Sequence, residues 1–116
     1  MADSSDVFDR LMMVIEDRRR NPPPRSYTTR LFDGGVEAIG DKIREEAAEV
    51  VEAARELDSG ADQAPLIHEA ADLIYHLFVL LGYHEVELSA VAAELARRFG
   101  TSGLDEKASR PPKRDS

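Results

Sequence analysis

The 116-residue chain has no cysteine, which excludes disulfides and thiolate-bound zinc and agrees with a reducing compartment. Excess basic charge is also missing: 15 Lys and Arg against 23 Asp and Glu leave a net charge of −8. That balance argues against a general nucleic-acid binder, because phosphate backbones demand a basic face. No apolar run reads as long enough to span a membrane, since the longest is interrupted by Asp72, Tyr75 and His76. The opening MADSSDVFDR lacks the basic, apolar, small-residue order of a secretory signal, so the expected location is cytoplasmic. Strand patterns and internal repeats are absent too. At this length only one small domain with one core is expected.

What is present is helical periodicity. Hydrophobic content of 42% and charged content of 33% suit a soluble globular chain with much helix. A first helix is predicted from about Asp6 to Arg20, capped by Ser4 or Ser5, with Val7, Leu11, Val14 and Ile15 as its apolar set. Pro22, Pro23 and Pro24 stop it, and PRSYTTRLFDGG reads as a loop punctuated by Gly34 and Gly35. The second helix is predicted from Val36 to Leu57, with a seam of Val36, Ile39, Ile43, Ala47, Val50, Ala54 and Leu57. DSGAD breaks it. A third helix should run from near Asp62 to Tyr83, and a fourth from Leu88 to Phe99, closed by Gly100 as the residue after its cap. The predicted fold is all-α, a four-helix antiparallel bundle over residues 6–100, with residues 1–5 and 105–116 as disordered tails. Leu73, Ile74, Leu77, Phe78, Val79, Leu80 and Leu81 cannot all face one small core. A homodimer that surrounds the third helix is therefore expected.

Charge is unevenly placed. Residues 18–30 hold five arginines and no acid, whereas acids crowd EEAAEVVEAARE. The pairing suits an anionic ligand carried with a divalent metal; a basic loop on an acidic surface is the plainer reading. On the second helix the seam centres on Ile43 and Val50. Glu46 falls about 50° and Glu49 about 110° to one side of it, with Lys42 between them. Glu45 and Glu52 point away from the seam. On the third helix Glu69, Asp72 and His76 share one flank of the apolar stripe, with His68 outside it. Each helix thus carries an acid pair one turn apart at the margin of its core face. Four facing carboxylates repel unless a cation neutralises them, and oxygen donors favour Mg2+, with Mn2+ as a substitute. A di-iron centre would need E-x-x-H motifs, which these pairs are not.

The motifs Glu46-Ala-Ala-Glu49 and Glu69-Ala-Ala-Asp72, with NPPPRSYTTRLFDGG, Lys42 ahead of REEAAEVVEAA, and HEAADLIYHLFVLL, resemble the phosphoribosyl-ATP pyrophosphohydrolase family. That family lies within the all-α NTP pyrophosphohydrolase superfamily, and the likeness runs over about residues 7–99. It implies hydrolysis of 1-(5-phosphoribosyl)-ATP to 1-(5-phosphoribosyl)-AMP and pyrophosphate in histidine biosynthesis. Glu46, Glu49, Glu69 and Asp72 are then the expected Mg2+ ligands and catalytic residues, with Glu46 or Glu49 also activating water. Lys42, Arg30 and Arg25 are expected at phosphates, Ser26, Tyr27 and Thr28 in the substrate loop, and His76 beside substrate or ligands. Asp41 and Arg44 depart from the family pattern of a second basic residue and a glycine. Some members are fused to a cyclohydrolase with cysteine-bound zinc, an activity these residues cannot supply. Two alternatives accompany this reading: a housekeeping NTP or dUTP pyrophosphatase of the same fold, and a non-enzymatic helical dimerisation module.

Overall fold

Pro22, Pro23 and Pro24 end the first helix because none can donate a backbone N–H. In the computed structural model, which describes residues 4–99, α1 spans Ser4–Arg20. It begins earlier than expected, so Ser4 and Ser5 lie within the helix. Arg18, Arg19 and Arg20 fill its last turn, where cations complement the helix dipole. The buried side chains of α1 are Met12 and Ile15, whereas Val7 and Val14 are exposed. The buried face is therefore rotated away from the line joining Val7 and Val14.

From Tyr27 onward the expected loop is helical. α2 runs Tyr27–Asp58 behind an N-cap at Ser26, whose Oγ accepts the Thr29 N–H at 3.3 Å. Its regularity breaks at Gly35, where φ is 67° and ψ is −160°, a conformation open essentially to glycine alone. The chain turns back there. Tyr27 and Glu46 both touch His76, although nineteen residues of straight helix would separate them by about 28 Å. Residues 27–34 thus form a short arm and residues 36–58 a long one. The glycine pair was read correctly as punctuation; what it separates are two helical segments.

α3 spans Ala64–Tyr83, with Pro65 in its first turn. Phe8 meets Phe78, Gly82 sits where a Cβ would come within 2.9 Å of Ile15, and Arg19 pairs with Glu85 at 3.0 Å. These contacts advance together, so α1 and α3 run the same way and the long arm of α2 runs against both. This is the up-down-up order expected of the bundle. Ile39, Val79 and Ile15 are the most deeply buried large side chains. Phe78, Val79 and Gly82 are buried on α3, while Leu77 stays exposed in the single chain.

By length and composition alone α3 is long and apolar enough to cross a membrane (20 residues, mean hydropathy 1.3 over an 18-residue window), a test that the core helix of a soluble protein also passes. Tyr75 and His76 interrupt the run without charge, leaving only Glu69 and Asp72 against it. The helix packs against α1 and α2 of the same chain.

α4 spans Leu88–Arg97 and belongs to a separate compact unit beginning at Glu87. Arg97 and Arg98 both bond Glu94, at 2.7 and 3.0 Å, and hold its carboxyl at about 2. Among the described residues there are four helices and no strand. Gly100 and the two tails, apart from Ser4 and Ser5, lie outside the described residues.

Candidate functional site

Buried positions on the long arm of α2 are Ile39, Glu46 and Ala53, each seven residues from the next. Seven residues return a helix almost to the same face, drifting only ~20°. Glu46 therefore lies on the buried stripe and not beside it, with 6% of its surface exposed. Val36, assigned to the seam, is exposed, and Ile43, Ala47 and Val50 are half-buried. Glu49 is exposed, as are Glu45 and Glu52.

Because the long arm and α3 are antiparallel, Glu46 comes level with Asp72 and Glu49 with Glu69. Carboxylate oxygens of Glu46, Glu49 and Glu69 lie within 4.8 Å of one another, and Asp72 joins Glu69 and His68 at similar range. The two groups share Glu69. Glu69 rests against Glu49, and its Oε2 is closed off from water without a donor. This contact, with partial burial and the Glu49 charge, pushes the Glu69 carboxyl up to about 7. Burial, followed by repulsion from Asp72, also raises Glu46, while His76 opposes the shift. An all-oxygen cage with a donor-less buried oxygen fits a hard divalent cation. A cleft lined by Glu49, Glu52, Ala53, Glu56, Pro65 and Glu69 opens beside it.

His68 was missed. Its Nε2 lies 3.2 Å from Asp72 Oδ2, across one helical turn. The four-residue spacing was the available signal. Tyr75 was missed too: its hydroxyl meets the Thr28 hydroxyl, a contact between distant segments that no local pattern encodes.

Of the expected substrate contacts, three are already engaged within the fold. Tyr27 bonds His76 Nε2 at 2.7 Å, Thr28 is buried against Tyr75, and His76 is 5% exposed. Ser26 caps α2, leaving its hydroxyl proton unused by that bond. Lys42 is half-buried, near enough to oppose the rise in the Tyr27 pKa that burial causes, and lies 3.7 Å from Glu45. Arg25 and Arg30 are exposed and form no ion pair with a described residue; Arg25 adopts a left-handed φ of 64°. The two departures from the family pattern pair with each other, Arg44 Nη2 lying 2.6 Å from Asp41 Oδ1.

An all-helical scaffold that brings carboxylates from two antiparallel segments together, in two groups that share Glu69, has the build of the all-helical pyrophosphohydrolases. A family model described as Phosphoribosyl-ATP pyrophosphohydrolase matches residues 8–99, and the chain belongs to that family, whose members are hydrolases of histidine biosynthesis. Among similar proteins, the Phosphoribosyl-ATP pyrophosphatase of Rhodopirellula baltica is 57% identical over 116 residues, covering 100% of this chain and 96% of that protein. Its namesake in Paramagnetospirillum magneticum is 48% identical over 113 residues, covering 97% and 100%. That of Geobacter metallireducens is 41% identical over 111 residues, covering 96% and 98%. The chain is therefore an enzyme, and the reading as a non-enzymatic helical module is set aside.

Proposed function

We propose that the protein hydrolyses 1-(5-phosphoribosyl)-ATP to 1-(5-phosphoribosyl)-AMP and pyrophosphate, with Mg2+ held by Glu46, Glu49, Glu69 and Asp72. The supporting observation is the buried Oε2 of Glu69, without a donor among a cluster of acids, which is costly unless a proton or, once that proton is lost, a cation enters. When bound, Mg2+ (or Mn2+) would neutralise triphosphate oxygens and polarise the scissile anhydride. Glu49, exposed at the rim, takes the proton of the attacking water; Glu46 is less suited because its carboxylate is buried against His76. The water oxygen bonds to the α-phosphorus as the bond to the bridging oxygen breaks, and pyrophosphate leaves. Lys42, Arg30 and Arg25 supply positive charge to the phosphates, and Ser26 can donate its hydroxyl proton.

Turnover on phosphoribosyl-ATP against a panel of ordinary nucleoside triphosphates tests this reading. Far faster cleavage of dUTP or dCTP would make the protein a housekeeping pyrophosphatase instead. The same reading places the enzyme in the cytoplasm. It also takes the exposed Met13, Val14, Ile67 and Leu77 as parts of a homodimer interface, which sedimentation equilibrium checks: a monomer at micromolar concentration contradicts it.

A further inference from the structure

His76 is buried between the two arms of α2, and each ring nitrogen is committed. Nδ1 lies 2.9 Å from the Asp72 backbone oxygen and 3.4 Å from Glu46 Oε1. A carbonyl oxygen only accepts, so the ring hydrogen sits on Nδ1. In the neutral ring Nε2 then accepts, and the Tyr27 hydroxyl donates to it at 2.7 Å. Tyr27 opens the short arm, which also carries Arg30. Glu46 belongs to the cage on the long arm. His76 is the buried link between them.

We infer that Tyr27 and His76 are a positioning pair: the Tyr27 hydroxyl and the Asp72 carbonyl fix the imidazole, and the polar Nδ1–H edge of the ring, 3.4 Å from Glu46 Oε1, sets where that carboxylate stands beside the cation, so that placement of the short arm and metal affinity are coupled. The inference rests on the metal role proposed above for Glu46. Neither residue then needs to touch substrate. Two facts make the coupling physical. Glu46 and His76 are both almost fully buried, so water cannot replace the contact. The ring is also stacked edge-on against Tyr27 and Tyr75, which restricts its rotation. Partners of this kind, one step removed from a metal, orient its ligands, and their loss typically weakens affinity about tenfold or more.

The test is Mn2+ binding to the full chain without substrate, followed by electron paramagnetic resonance, together with the split between kcat and KM at varied Mg2+. Tyr27→Phe removes one oxygen and should weaken Mn2+ about tenfold, with unchanged circular dichroism and kcat recovering at high Mg2+. His76→Asn keeps a donor near the Nδ1 position and should retain more affinity than His76→Gln, whose polar group reaches the Nε2 position. Combining Tyr27→Phe with His76→Gln should cost no more than His76→Gln alone. Wild-type Mn2+ affinity in Tyr27→Phe, or fully multiplying losses in the double variant, overturns the pair. If the His76 variants do not fold, Tyr27→Phe decides alone. Failure of the unaltered protein to bind Mn2+ overturns the proposed function and this inference with it.

Discussion

Glu46→Gln should make the metal-free protein more stable while abolishing its response to Mg2+. Glu46 is buried, repelled by Asp72 and Glu49, and favoured only by His76. Its oxygens can approach those of Glu49 within 4.8 Å. At that spacing two charges repel by about 3.5 kcal/mol at an effective dielectric near 20, and about 0.9 kcal/mol in bulk water. Glu49 is exposed, so the lower end governs. Relief from burying a charge adds to this, and the weakened contact with His76 removes about 1 kcal/mol. The net gain is about 1–2 kcal/mol, or a melting temperature higher by roughly 4–8 °C for a domain of this size. Differential scanning calorimetry at about pH 8.5 with chelator reads the gain; adding Mg2+ reads its response. The pKa of Glu46 is raised, so only its ionised form carries the cost. The advantage of the variant should therefore shrink as pH falls. A variant that melts lower than wild type at high pH, or still gains stability from Mg2+, refutes the reasoning.

Glu69 supplies the pH dependence. Its carboxyl holds a proton up to about 7 in the fold but only to about 4.5 when unfolded. Its contribution to metal-free stability is thus complete below about 4.5 and lost as pH rises through about 7. Mg2+ must displace that proton, so titration calorimetry should show affinity rising with pH through neutrality and levelling above it. A flat profile contradicts the cage. Gly35→Ala forces a side chain into a left-handed conformation, 3.2 Å from the Tyr83 hydroxyl, and should cost about 1–3 kcal/mol in urea unfolding. Ile39→Ala removes a fully buried side chain and should cost about 2–5 kcal/mol by the same measurement. Arg44→Ala breaks an exposed pair with Asp41 and should change stability by less than about 1 kcal/mol.

Much of this was legible because helices announce themselves locally. Proline placement marked the end of α1, the acid pairs one turn apart marked the arms of the cage, and Gly34–Gly35 marked a break. The short arm is not legible as helix because polar Ser-Tyr-Thr-Thr lacks an apolar period of its own; its Thr28 is buried against Tyr75 of α3 and not by local pattern. The rotation of the buried stripe onto Glu46 was equally hidden. Half-apolar faces leave the angle of packing open by tens of degrees, and the neighbouring helix sets it.

The order of side chains along the chain by itself determined where helices form and which acids stand one turn apart, since both follow from backbone periodicity and hydrogen bonding within a few residues. Only the tertiary structure decided that the chain turns back at Gly35, that Tyr27 reaches His76, and that Glu46 is buried opposite Asp72. Those outcomes depend on the packing of segments twenty to fifty residues apart, the short arm running along α3 and the long arm against it. Packing selects among faces that local propensity leaves nearly equal in free energy.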